Sequence, residues 1–291
     1  MSTFQRWQLA SRPKTLPAAV SPVLVGWAIA WDLDAFSLGP ALAALMIAVL
    51  LQIAANLVND VADFQKGADT HERLGPLRVT QSGLLTPRQV WTGVVVVFAL
   101  TALIGLYLVL VSGWPALVLG IAAIAGAVLY SVGRRSFAAT GSGDLFALVF
   151  FGFGALCGTV YVLVGHVPLE AWLAALPVGA LVTAILVVNN IRDIDSDRRA
   201  GRKNIPARFG RQAGQIEYAL LLVTAYLSPL AVWLAGESPW VLLTWLSIPL
   251  AMQLYSQVCS LPISRGFNRL LAQTARLTLL FSLLLALGIL V

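Results

Sequence analysis

Charge is scarce in this chain: only 11% of its 291 residues are Asp, Glu, Lys or Arg, against 59% that are hydrophobic. That imbalance excludes an ordinary soluble domain and points to a polytopic membrane protein. Histidine and cysteine are nearly missing too, with two of each. His71 and His166 have no second histidine nearby, so a histidine metal site is not expected. Cys157 and Cys259 lack ligand-like spacing and are assigned to packing. No G-x-x-x-x-G-K-[ST] string occurs, and Gly141-Ser-Gly143 is too short to cradle a nucleotide, so ATP-driven chemistry is unsupported. The strict alternation of barrel strands is also missing, which leaves helices as the spanning element.

What is present is a series of apolar runs, each long enough to cross about 30 Å of hydrocarbon. They predict nine transmembrane helices, near residues 15–33, 39–63, 89–110, 114–132, 144–165, 171–193, 214–235, 239–260 and 271–291. The expected fold is an all-α, polytopic membrane protein, a single domain over 1–291, with its helices around a central cavity that opens to the cytoplasmic side. The polar first 14 residues lead into a full-length span, so no cleavable signal is expected.

All 19 Lys and Arg residues fall in or around connections on one side of this nine-helix plan. The opposite connections carry Asp32, Asp34, His166, Glu170 and Glu237. The positive-inside rule then makes the basic face cytoplasmic, with the N-terminus inside, as in a bacterial cell membrane. The net charge of +6 is spread over membrane loops rather than along a soluble face. It therefore predicts contact with the lipid bilayer and no nucleic acid.

Two acidic stretches break the apolar pattern at helix ends: Asn56-Leu-Val-Asn-Asp-Val-Ala-Asp63 and Asn189-Asn-Ile-Arg-Asp-Ile-Asp-Ser-Asp197. At helical spacing, Asn56, Asn59, Asp60 and Asp63 share an arc of roughly 100°, and Asn189, Asp193 and Asp197 one of roughly 80°. Asp195 points away from the second face. Crowded carboxylates at a membrane boundary are costly unless cations neutralise them, so divalent metal is the expected partner. Lys66, Arg73 and Arg78 follow the first stretch, Arg198, Arg202 and Lys203 the second, and Arg134 and Arg135 follow Tyr130. Carboxylate-held Mg²⁺ beside Lys and Arg is how proteins usually grip a diphosphate. Tyr130-Ser131 and Tyr255-Ser256 repeat at a similar offset to the acidic stretches. A parallel repeat would set the two acidic sets facing each other across a cavity. Secondary transport is the competing class, but its ionisable groups usually lie near the midplane rather than at helix ends.

At these residues the chain resembles the UbiA superfamily of intramembrane aromatic prenyltransferases over essentially its whole length. The string Arg12-Pro-Lys-Thr-Leu-Pro17, the segment Asn56 to Asp69, Arg73-Leu-Gly-Pro-Leu-Arg78 with Gln81-Ser-Gly83, and Gly143-Asp144 are similar to the branch that prenylates 1,4-dihydroxy-2-naphthoate. The stretch Asn189 to Lys203 matches the second superfamily motif. Ser131-Val-Gly-Arg-Arg135 departs from the branch's Thr-Gly-Gly-Pro, which leaves 4-hydroxybenzoate and homogentisate open as acceptors.

The resemblance implies two Mg²⁺ ions bound by Asn59, Asp63, Asp69, Asp193 and Asp197, bridging the diphosphate of a polyprenyl donor. Asp63, Asp193, Asp197 and Tyr130 would be catalytic. Lys14, Asn56, Asp60, Lys66, Arg73, Arg78, Arg135, Asn189, Asn190, Arg198 and Lys203 would bind substrate. The implied reaction joins the prenyl group to 1,4-dihydroxy-2-naphthoate, an aromatic acid acceptor, with loss of diphosphate and CO₂, giving a demethylmenaquinone-type product.

Overall fold

The structure, a computed structural model, describes residues 1–67, 73–133 and 135–291. The described residues form helices and turns, without a strand. A short amphipathic helix α1 (Thr3–Ser11) opens the chain behind a Ser2/Gln5 capping box and ends at Arg12 in a left-handed conformation. Then come α2 (Pro17–Asp32), α3 (Leu38–Gln65), α4 (Pro87–Ser112), α5 (Trp114–Ser131), α6 (Gly143–Val164) and α7 (Leu169–Arg192). A two-turn helix α8 (Ile194–Arg199) precedes α9 (Arg211–Leu234), α10 (Pro239–Ser260) and α11 (Phe267–Leu290).

Eight of these helices, α3 to α7 and α9 to α11, are long and apolar enough to cross a membrane. The expected count of nine is therefore not reproduced by length. The shortfall is α2, whose 16 residues reach only about 24 Å. Pro13 and Pro17 explain it: the chain before α2 winds as a 3₁₀ turn over Pro13–Thr15, and the α-helix starts only at Pro17. Two other elements depart from plain α-geometry. Residues Leu148–Cys157 of α6 form a wide π-helical segment, and α10 opens with 3₁₀ turns over Pro239–Ser247.

Helix α7 is the axis of the bundle, buried from Ala171 to Arg192 on most sides by α6, α9 and α11. Leu181, Val188 and Ile191 pack there against Tyr218, Leu254, Leu277 and Phe281. The outer helices turn bare aliphatic faces outward, including Leu103 and Leu110 on α4, Leu117 and Ile121 on α5, and Leu220 on α9. A lipid-facing surface has this composition, and water would not tolerate it.

Helices α6 and α7 cross with almost no room. A Cβ on Gly179 would lie 2.9 Å from the Gly152 Cα and 3.0 Å from the Leu148 carbonyl oxygen. Backbone cannot yield as a side chain can, so Gly179→Ala should cost about 1–3 kcal/mol by forcing the helices apart. Gly105, which has nothing within 4 Å of its Cβ position, is the control. Thermal unfolding in detergent should show a lower melting temperature for Gly179→Ala and no loss for Gly105→Ala.

Candidate active site

The site is built where α3 and α7 end. Asn56 fastens α3 to the start of the chain, its Nδ2 donating to the Ser11 carbonyl at 3.0 Å and to Thr15 Oγ1 at 3.1 Å. One turn on, Asp60 accepts the backbone N–H groups of Val79 and Thr80 at 3.1 and 3.0 Å, with Arg12 at 3.9 Å. These bonds fold the segment from Arg73 to Thr80 back over the helix end and carry Arg78 inward. Arg78, 3% exposed, donates to the Asn59 carbonyl and to Asp63 Oδ2, both at 2.6 Å.

Across the bundle, α7 stops at Asp193, and α8 restarts the chain one residue later. Arg192 folds back on its neighbour: Nε and Nη2 grip Asp193 Oδ1 and Oδ2 at 2.8 and 2.6 Å. The same guanidinium reaches Asn189 Oδ1 at 2.6 Å and Asn268 Oδ1 at 2.7 Å, while Asn268 Nδ2 donates to the Leu74 carbonyl at 2.9 Å. Arg192 thereby ties the second acidic stretch to α11 and to the Arg73–Thr80 segment.

Arg202 joins the two halves. Its Nη2 lies 2.7 Å from Asp63 Oδ1, and its Nη1 lies 3.3 Å from Asp197 Oδ1. Asn204 Nδ2 donates to Asp197 Oδ2 at 2.7 Å. Burial nevertheless pushes the Asp197 carboxyl up to about 6; the neighbouring Arg202 opposes that shift, and Asp193 adds to it. Asp63 and Asp197 are thus two buried anions, 134 positions apart, sharing one guanidinium.

A polar cavity of about 60 Å³ lies among these groups. Asn59, Arg73, Arg78, Asn189, Asp193 and Arg202 contribute to its wall, as do Tyr130, Asp144 and Asn190. Asn59 donates its amide to Ser131 Oγ at 3.1 Å, and Lys66 Nζ reaches the Ser131 carbonyl at 2.5 Å.

Among the expected residues, Asn59, Asp63, Arg73, Arg78, Tyr130, Asn189, Asn190, Asp193 and Asp197 gather at or beside this cavity. Asn56 and Asp60 lie behind it, both buried and committed to backbone partners. Lys14, Arg135, Arg198 and Lys203 are exposed and do not line the cavity. Asp69, His71 and Arg134 lie outside the described residues. Asp195 is exposed, as its helical angle predicts. Tyr255 does not line the cavity that Tyr130 lines, so the Tyr-Ser repeat adds nothing to the site.

Sequence reasoning counted Arg192 with the topology-setting cations and gave Arg202 no more than a place among the cations around the acidic stretches. The available signal for Arg192 was an arginine inside an acidic motif at the last apolar turn, where an unpaired cation would be expensive. Asp144 and Asn204 were missed as cavity residues; a carboxylate opening the apolar run of α6 was the signal for the first.

Among the described residues, no three carboxylate, histidine or cysteine side chains gather at one metal-binding point. Magnesium does not require that. It is usually held by one or two carboxylates with substrate phosphates and water completing an octahedron. The Asn59, Asp63, Asp193 and Asp197 side chains are hard oxygen donors of that kind, and Asp197 is a buried anion that its present partners under-compensate. The residues present fit a magnesium-diphosphate pair.

Eight membrane-length helices, with carboxylates from two helix ends converging on a shared arginine beside a polar cavity, define a multi-pass membrane protein with a charged site at one end of its bundle. The chain belongs to the UbiA prenyltransferase family, whose model matches residues 19–261. It is 37% identical over 298 residues to the 1,4-dihydroxy-2-naphthoate octaprenyltransferase of Escherichia coli (strain K12), covering 99% of this chain and 96% of the relative. It is 36% identical to the protein of the same name from Mycobacterium tuberculosis, over 98% of this chain and 97% of the relative. Its fold is similar to that of a UbiA homolog from Archaeoglobus fulgidus bound to GPP and Mg²⁺, with a TM-score of 0.72, 17% identity, and 98% and 100% of the two chains covered.

Proposed function

We propose that residues 1–291 form one integral membrane prenyltransferase domain that transfers a polyprenyl group from an allylic diphosphate to 1,4-dihydroxy-2-naphthoate. The products are diphosphate, CO₂ and the quinol form of demethylmenaquinone. The observation that carries this reading is the Arg202 bridge, which joins carboxylates of both acidic motifs beside one cavity. Nearly full-length similarity to naphthoate octaprenyltransferases supports the choice of acceptor.

Two Mg²⁺ ions, held by Asn59, Asp63, Asp69, Asp193 and Asp197, would supply Lewis-acid neutralisation of the leaving diphosphate. Arg73, Arg78 and Arg202 offer planar forks that match phosphate oxygens, which Lys cannot do bidentately. Lys66 adds a point charge at the rim. Tyr130, tilted against Phe146 with ring centroids 5.3 Å apart, presents an aromatic face that steadies an allylic cation. The surrounding aliphatic helices exclude the water that would quench it. The basic residues at the cavity end support an orientation with the N-terminus and cavity on the cytoplasmic side of the cell membrane.

Purified protein in detergent, given polyprenyl diphosphate and the naphthoate, should release diphosphate and form product without any ion gradient. EDTA should abolish both, and added Mg²⁺ should restore them. Mass spectrometry that finds 4-hydroxybenzoate or homogentisate prenylated while the naphthoate is untouched contradicts the acceptor assignment.

A further inference from the structure

Each motif carboxylate in the site has a cation beside it: Asp60 has Arg12, Asp63 has Arg78 and Arg202, Asp193 has Arg192, and Asp197 has Arg202. Asp144 is the exception among the described carboxylates of the cavity. Its Oδ1 accepts one hydrogen bond, from Asn190 Nδ2 at 3.1 Å. Its Oδ2 is buried and accepts none. A buried carboxylate oxygen left unsatisfied costs about 1–3 kcal/mol or more, and such groups collect where a ligand supplies the missing donor.

The surroundings say which ligand. Asp144 lines the same cavity as Asn59, Asp193 and Arg202. Beside it, Gly143 lets the Tyr130 hydroxyl come within 3.5 Å of where a Cβ would stand. An aromatic row continues from there: Phe137 lies 4.8 Å from Phe146, and Phe146 stacks on Phe150 at 4.1 Å. An uncompensated carboxylate repels a diphosphate, so it does not serve the donor's headgroup. It suits a neutral hydroxyl on an aromatic ring that the Tyr130 ring in the same cavity wall can receive.

We propose that Asp144 is a catalytic residue that accepts the acceptor's ring hydroxyl proton, at the hydroxyl ortho to the carboxylate; this rests on the naphthoate reading above. As the ring carbon bearing the carboxylate bonds to the allylic carbon, the allylic C–O bond breaks and its electron pair leaves with diphosphate. The hydroxyl proton passes to Asp144 Oδ2, and the ring becomes a β-keto acid. The C–CO₂ bond then breaks, its electron pair returns to the ring as an enolate, and Asp144 gives the proton back to that oxygen. No oxidant or reductant enters.

The test compares wild type, Asp144→Asn and Asp144→Glu with the naphthoate and its 1-methoxy ether, and measures binding of a thio-linked prenyl diphosphate as a fold and donor-site control. Asp144→Asn should lower kcat with the naphthoate by about 10²–10⁴-fold. The donor's KM and the thio-analogue's affinity should change less than about twofold, and Asp144→Glu should recover part of the rate. Wild type should lose a similar factor on the methoxy ether, where Asp144→Asn adds no further loss. Unchanged kcat in Asp144→Asn, an equal loss of donor affinity, or full wild-type activity on the ether overturns the assignment. The ether result stands without any variant, so misfolding of Asp144→Asn leaves the proposal open to refutation. A wild-type enzyme that ignores the naphthoate overturns the functional reading first and this proposal with it.

Discussion

Asp63→Ala should lower kcat/KM for prenyl transfer by about 10²–10³-fold, the scale on which lost transition-state electrostatics is felt in a water-poor site. Asp63 accepts Arg78 on one oxygen and Arg202 on the other, both within 2.7 Å. Alanine removes an anion that two guanidinium groups converge on, together with one of the oxygen donors proposed for metal. The two arginines would then repel each other across the space where the leaving group must sit. Asp195→Ala is the control, an exposed carboxylate of the second acidic motif that should change the rate less than about twofold. Initial rates of prenylated product at saturating Mg²⁺ test the pair. More than a tenth of wild-type activity in Asp63→Ala contradicts the role given to this residue.

Arg192→Leu should be the most destabilising of the site substitutions, at about 3–5 kcal/mol, the usual penalty for stranding a buried charge. Arg192 is 1% exposed, and its guanidinium serves Asp193, Asn189 and Asn268 at once. Leucine leaves the Asp193 carboxylate buried without its cation and breaks the tie from α7 to α11 and Leu74. Arg192→Lys keeps the charge but loses the fork, so it should rescue only in part. Pairing Arg192→Leu with Asp193→Asn should recover some stability by neutralising both partners, although activity stays low. Detergent-phase melting curves read all three, and a wild-type melting temperature for Arg192→Leu would rule out the network as a structural element.

Helix number and position were largely legible in the sequence because lipid imposes a length on every apolar run: the span expected at 239–260 is observed as Pro239–Ser260. The exception is α2, shorter than expected because Pro17 reads as part of an apolar run yet starts the α-helix two residues late. The π-helical segment of α6 was illegible, since no local residue pattern marks it. In the site, helical angles separated exposed Asp195 from buried Asp197, but they also put Asn56 and Asp60 on one face with Asn59 and Asp63, although both lie behind the cavity. Those angles carried no information on which cation pairs with which anion. Arg202 meets Asp63 from 139 positions away, and spacing along a helix is silent about such contacts. Arg198 and Lys203 show the converse: proximity in sequence to an acidic motif did not put them in the cavity.

The central claim is that the two acidic motifs act as one ligand for a magnesium-bound diphosphate. Equilibrium binding of a thio-linked prenyl diphosphate with Mg²⁺ to wild type, Asp63→Asn, Asp197→Asn and the double variant tests it directly. Each single substitution should remove most of the magnesium-dependent affinity, with the double variant little worse than either, because either loss dismantles the shared grip. Independent, additive losses, or magnesium-dependent binding that survives in both single variants, would contradict it.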